Sequence, residues 1–203
     1  MNPIKLPLLI FTLLSFYFVD AQKIFQDFDH FDRNWSFGLG INTVDDSGRR
    51  FDPFNKNKNL AHRIPIMVSA EYHQNQQFSY FGVISINQWA EGELIDGSRV
   101  SNSTPTFFGV DLGVKYSFRK LLNIKIFDPY IAQGFGYSTI GRFTNNFGTE
   151  INPDGRLTAN TTLGVYFWLS KYWGINLNGT AKISLTNDTN LSQFGLGIVY
   201  LTK

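Results

Sequence analysis

The chain has 203 residues, with 18 Lys and Arg against 16 Asp and Glu; the basic residues are scattered, so no nucleic-acid surface is expected. Its length suits one domain, and with no cysteine its stability cannot rest on disulfides, which leaves a closed sheet or a large apolar core. The compositional oddity is aromatic, with 20 Phe, 9 Tyr and 4 Trp.

The first 21 residues read as a signal peptide. Lys5 precedes an apolar run from Leu6 to Val19 that is too short to span a bilayer, and Val19-Asp20-Ala21 supplies small residues for cleavage. Residues 22–33 then read as a periplasmic N-terminal segment, and 34–203 as the folded domain.

From Trp35 onward the chain alternates apolar residues with small or polar ones at a period of two, the mark of a half-buried strand. Trp35, Phe37, Leu39 and Ile41 alternate with Ser36, Gly38, Gly40 and Asn42. The run from Phe108 to Phe118 does the same over a length that suits a tilted membrane strand. Continuing by the same rule predicts strands at 34–44, 63–72, 78–88, 106–118, 128–140, 156–169, 173–183 and 192–201. The third is ambiguous, since Phe81 and Val83 compete for the apolar face with Tyr80, Ile84 and Ile86. The count is even and the connections alternate between long and short. The expected fold is therefore all-β, an eight-stranded antiparallel up-and-down transmembrane β-barrel with long loops outside and both termini in the periplasm.

Aromatic residues favour membrane interfaces. Trp35, Phe37, Tyr72, Phe78, Tyr80, Tyr116, Phe118, Tyr130, Phe167, Trp173 and Tyr200 all fall at the strand ends assigned to the periplasm, which predicts a girdle there. Inward-facing polar residues predict a lumen plug made of Arg63 near the outer mouth, Glu71, Asp111, Lys115, Asn160, Asn176, Asn178 and Lys182. An eight-stranded barrel is only wide enough for side chains, so these groups must pair or hold water. A packed plug is expected, with a narrow pore as the sharper alternative.

Gln193, Gly195, Ile198 and Tyr200 in the last strand resemble the signal by which the barrel-assembly machinery recognises outer-membrane clients, although the usual terminal aromatic is replaced by Leu201-Thr202-Lys203. Three further stretches, Phe108 to Phe118, Asp128 to Tyr137 and Leu163 to Leu169, resemble the N-terminal barrel of OmpA-type proteins from Bacteroidetes. The resemblance implies the same barrel and an outer-membrane address. Members of that family often add a peptidoglycan-binding domain, and since Lys203 follows directly on the last strand, cell-wall tethering is not expected.

No catalytic set is expected. His62 ends the first long loop, which Asp45, Asp46 and Ser47 open and across which they can approach it, whereas His30 precedes the first strand and His73 is placed in a periplasmic turn. A lipid A modifying site is thus the weaker reading. Asp27, Asp29, Asp32 and the Asp45-Asp46 pair lack the order of a calcium loop, so neither metal nor cofactor is expected. Arg49, Arg50, Lys56 and Lys58 in the first loop suit the phosphates of lipopolysaccharide. The expected role is structural or adhesive, with outer-membrane lipids, lipopolysaccharide and other outer-membrane proteins as the expected contacts; the alternative is an accessory subunit of a larger secretion or assembly complex.

Overall fold

The computed structural model describes residues 33–46, 60–123, 126–186 and 189–202. The expected signal peptide, most of the N-terminal segment with Asp27, Asp29, His30 and Asp32, and the loop residues Ser47, Arg49, Arg50, Lys56 and Lys58 lie outside the described residues.

The strands in chain order are β1 (Trp35–Asp45), β2 (Leu60–Ala61), β3 (Ile66–His73), β4 (Phe78–Gln88), β5 (Leu94–Ile95), β6 (Ser98–Ser101), β7 (Thr106–Ser117), β8 (Phe127–Ile140), β9 (Phe143–Asn145), β10 (Glu150–Ile151), β11 (Arg156–Trp168), β12 (Trp173–Ser184) and β13 (Leu191–Leu201). Eight of them form one antiparallel wall in the order β13-β12-β11-β8-β7-β4-β3-β1, and β13 pairs back onto β1 from Ser36↔Leu201 to Asp45↔Ser192, which closes the barrel. The two-residue β2 extends the edge beside β1.

Alternation places the side chains. Along β1, Phe37, Leu39 and Ile41 point outward and are half exposed or more, while Ser36 and Asn42 are buried inside. In β4 the ambiguity resolves with Tyr80 and Ile84 outward and Phe81 and Val83 lining the lumen. The outer surface is consequently an apolar belt. Where two strands cross tightly, glycine is required: a Cβ on Gly113 would stand 2.2 Å from the Gln133 carbonyl oxygen and 2.8 Å from the Cα of Gly134 directly opposite.

Element ends agree with expectation to within a residue or so, except at β3, which begins at Ile66 rather than 63. The reason is local: Pro65 has no N–H to give a ladder, and His62 and Arg63 donate theirs to the Gln88 carbonyl. Three short connections, 74–77, 118–126 and 169–172, lie at the end carrying the termini. The second contains a single-turn helix, α1 (Arg119–Leu122), stopped by Asn123 in the left-handed conformation at φ 51°.

The long loops at the other end are not structureless. The connections 89–105 and 141–155 contribute β5, β6, β9 and β10 to a second sheet in the order β10-β9-β6-β5. Beneath it, Trp89, Ile95, Val100, Phe107, Ile140 and Phe143 form a buried apolar cluster with Val44, Ala61 and Leu191. The sheet is a cap over the barrel mouth, held down by the hydrophobic effect.

Candidate functional site, a stoppered lumen

Below the cap the barrel interior is filled by ion pairs stacked along its axis. Nearest the termini, Arg119 donates to Asp128 at 2.6 Å, Ser117 donates to the same carboxylate, and the guanidinium lies 5.5 Å from the Trp168 ring. Burial pushes the Arg119 pKa below its usual value and Asp128 pushes it back up.

The next layer is the densest. The Lys115 ammonium donates to Glu71 and to the Tyr166 hydroxyl, Tyr166 donates to Glu71 at 2.7 Å, and Ser79 donates to the other Glu71 oxygen. The same ammonium sits 4.3 Å from the Tyr130 ring centre and 4.6 Å from that of Tyr166, so it is held by two aromatic faces as well as a carboxylate. The Tyr130 hydroxyl donates to Asn176 at 3.0 Å. Gly164 makes room for this arrangement, since a Cβ there would come within 2.4 Å of the Tyr130 ring.

Further toward the cap, Asp111 accepts from Lys182 at 2.6 Å and from the Asn160 amide at 2.7 Å. At the rim, Arg156 reaches both oxygens of Asp46 at 3.1 Å, and the Thr189 hydroxyl donates to Asp46 at 2.6 Å. Among the described residues each of these four acids has one Lys or Arg within ion-pair distance, so the charges of the stack are matched pair by pair. A desolvated charge is costly unless matched in this way.

Between the Glu71 and Asp111 layers remains about 50 Å³ of room for water centres, lined in part by Met67, Asn178 and Gln193. That volume admits a few waters. They would serve the Oδ1 of Asn160 and the Oε1 of Gln193, which are buried with no hydrogen-bond partner among the described residues.

The expected plug residues are thus brought together, apart from Arg63. That residue is exposed on the rim, because the chain enters the wall only at Ile66. One aromatic expectation changes as well. Tyr130 is not part of the girdle but points into the lumen, and Phe127 supplies the outward ring for β8, packed 5.4 Å from Phe167. The rest of the girdle pairs around that end, with Trp35 against Tyr72, Phe78 against Tyr116, and Trp173 against Tyr200. Asp46 and Arg156 were not assigned to the plug, although Arg156 has the same parity as Thr158 and Asn160 and was readable from it.

His73 does not lie in a turn. It is the last residue of β3, buried, with Nε2 3.0 Å from the Ser36 hydroxyl and Nδ1 3.7 Å from Glu71. A serine, an imidazole and a carboxylate in that order resemble a nucleophile with its base. Here the carboxylate is already held by Lys115, Ser79 and Tyr166, and Ser36 is only 2% exposed, so the trio packs as part of the plug. His62 is exposed, with Glu93 at 3.3 Å as its acid, while Asp46 is held by Arg156. Among the described residues no group of three His, Asp or Glu is placed to hold a metal ion.

Replacing Tyr130 should separate its two contributions. Tyr130→Phe is expected to cost about 1 kcal/mol by stranding Asn176, and Tyr130→Leu about 1 to 2 kcal/mol more by removing the ring face over Lys115, both read as shifts in the urea midpoint of the folded barrel.

Several solved structures share this fold. Ail, the attachment invasion locus protein of Yersinia pestis, is 14% identical over 84% of this chain and 99% of that one, with a TM-score of 0.55. OprG from Pseudomonas aeruginosa is 10% identical over 84% and 96%, with a TM-score of 0.57. The fold is that of small outer-membrane barrels. Neisserial surface protein A is a further example, 7% identical over 82% and 95%, with a TM-score of 0.54. No family model and no curated protein matches the chain. At such identities the outer-membrane barrel likeness carries the architecture and not the task.

Proposed function

We propose that this chain is an integral outer-membrane barrel without catalytic activity, acting as a sealed scaffold that presents an ordered loop cap at the cell surface. The observation that carries the reading is the pairing of an apolar outer belt with an interior closed at both ends. A belt of exposed Phe, Leu and Ile rimmed by Trp and Tyr suits lipid on the outside. The pairs Glu71–Lys115 and Asp111–Lys182, with the apolar cluster under the cap, leave the lumen stoppered.

In this reading the termini and short turns are periplasmic, the cap faces outward, and residues 1–21 direct export before removal. The barrel resembles OmpA-type barrels of Bacteroidetes, and Gln193, Gly195, Ile198 and Tyr200 are its signal to the assembly machinery. Gln193 and Gly195 face inward while Ile198 and Tyr200 face lipid, which suits a final strand recognised by its two faces. The basic loop residues Arg49, Arg50, Lys56 and Lys58 are proposed to contact lipopolysaccharide phosphates. Neutralising those four should weaken that association in a salt-dependent way.

The test is fractionation with gel mobility before and after boiling, followed by planar-bilayer recording. The protein is expected in the outer-membrane fraction, with a mobility change on boiling and no conductance steps above leak. Recovery as a soluble protein without detergent would overturn the membrane reading, and discrete conductance would overturn the sealed lumen.

A further inference from the structure

The end of the barrel that carries the termini is not the same all round. The turn at 74–77 is Gln-Asn-Gln-Gln, polar and uncharged. α1 and the turn at 169–172 differ from it and lie side by side, since β8 pairs with β11 and the Trp168 N–H donates to the Ile126 carbonyl between them. Together they expose Leu121, Leu122 and Leu169, by 69%, 48% and 63%. The display is fixed from inside: the buried Arg119 side chain holds Asp128 at 2.6 Å and its N–H donates to the Ser117 hydroxyl, so the single helical turn cannot roll its leucines out of sight.

The charges on this patch have one sign. Lys120 is exposed, Lys171 lies half-buried with its ammonium 5.7 Å from the Tyr172 ring centre, and neither has a carboxylate within ion-pair distance among the described residues. Asp128, the nearest acid along the chain, is already held by Arg119. The patch is also continuous with the apolar belt. The outward face of β11 runs through Leu163, Val165 and Phe167 into Leu169, and Phe127 packs beside Phe167 just above α1. A covering that is apolar on the belt side and negatively charged at the edge is the headgroup region of an anionic phospholipid leaflet, where leucine and lysine are both favoured.

We propose that α1 and the 169–172 turn form a foot that gathers anionic glycerophospholipid on one side of the barrel. Leu121, Leu122 and Leu169 enter the boundary between headgroups and acyl chains, and Lys120 and Lys171 meet the phosphates. This rests on the reading of the chain as a membrane barrel.

The lipid retained by the full chain from equal amounts of dioleoylphosphatidylglycerol and dioleoylphosphatidylcholine, counted by native mass spectrometry, tests the charge. Wild type is expected to favour phosphatidylglycerol, and Lys120→Gln or Lys171→Gln should each cut that preference about fivefold, the scale of one lysine at an anionic surface. The depth is tested with a spin label in vesicles containing phosphatidylglycerol, which a chain with no cysteine of its own makes simple. A label at Leu121→Cys should be relaxed more by oxygen than by a water-soluble nickel chelate, and one at Gln74→Cys the reverse. Equal retention of the two lipids, or a preference unchanged in the double lysine variant, would overturn the proposal. So would a label at 121 as open to nickel as that at 74, which would leave the patch to a periplasmic protein. Lys120 lies outside every ladder, so if the double variant does not fold, Lys120→Gln decides alone. Gel mobility of the same samples separates the two failures: a heat-modifiable barrel without lipid preference sinks only the foot, whereas absence of such a fold sinks the membrane reading itself.

Discussion

Glu71→Ala is expected to destabilise the barrel by about 3 to 5 kcal/mol, measured by urea unfolding in detergent or vesicles. The figure follows from what is left behind. Lys115 is buried and, among the described residues, has Glu71 as its one carboxylate within ion-pair distance, so removing that partner strands an ammonium between Tyr130 and Tyr166, whose faces compensate only in part. Ser79 and the Tyr166 hydroxyl lose their acceptor in the same stroke. The companion measurement is the double variant Glu71→Leu with Lys115→Met, which removes both charges and keeps apolar volume. It is expected to recover most of the loss, because a buried pair is worth far less than the penalty for breaking it. A double variant as unstable as Glu71→Ala would mean that shape, and not unpaired charge, controls this layer.

The second large effect concerns a glycine. Gly136→Val is expected to cost about as much as Asp111→Ala, in the range of about 3 to 5 kcal/mol, because a Cβ at 136 would stand 2.1 Å from the Asp111 carboxylate and 2.6 Å from the Asn160 amide. It would push the carboxylate away from Lys182, whose side chain is completely buried. Since both substitutions break the same pair, their costs should not add. The double variant should fall short of the sum by more than 1 kcal/mol, about the scale of coupling between contacting residues. Simple additivity would show that Gly136 acts by backbone freedom, independent of the Asp111 layer.

The barrel was legible because its signal is repeated eight times. Period-two alternation depends only on which residues are apolar, and the strand ends it predicts are displaced only where backbone chemistry intervenes, as with Pro65 before β3. The lumen was legible for the same reason, since parity assigns Glu71, Asp111, Lys115, Asn160 and Lys182 to the inner face. Parity also explains what was missed. Tyr130 was assigned to the girdle by its nearness to a strand end, but Asp128, Tyr130 and Ala132 share the inward parity, and a tyrosine inside serves both as a hydrogen-bond donor and as a surface for a cation. His73 was read as a turn residue because the strand was ended one position early.

The cap was not legible, because β5, β6, β9 and β10 have two to four residues each, too few to set up a period. Their partners lie across two different loops, as in the pairing of Val100 with Asn145, and no local pattern announces such a contact. Arg156 with Asp46 is similar, a pair separated by more than half the chain and made visible only by closure of the barrel.

The way the cap is anchored separates what must be kept from what is free to change. Trp89, Val100 and Phe143 face down into the apolar cluster, whereas Arg99, Phe147 and Glu150 face solvent, with Phe147 85% exposed at the tip of the β9–β10 hairpin. Substitutions on the upper side therefore alter the chemistry offered to the surroundings without touching the support. In the proposed orientation, such a surface can change its residues while the molecule beneath continues to fold, and anything that bound it would recognise a shape composed by two loops and not a linear peptide.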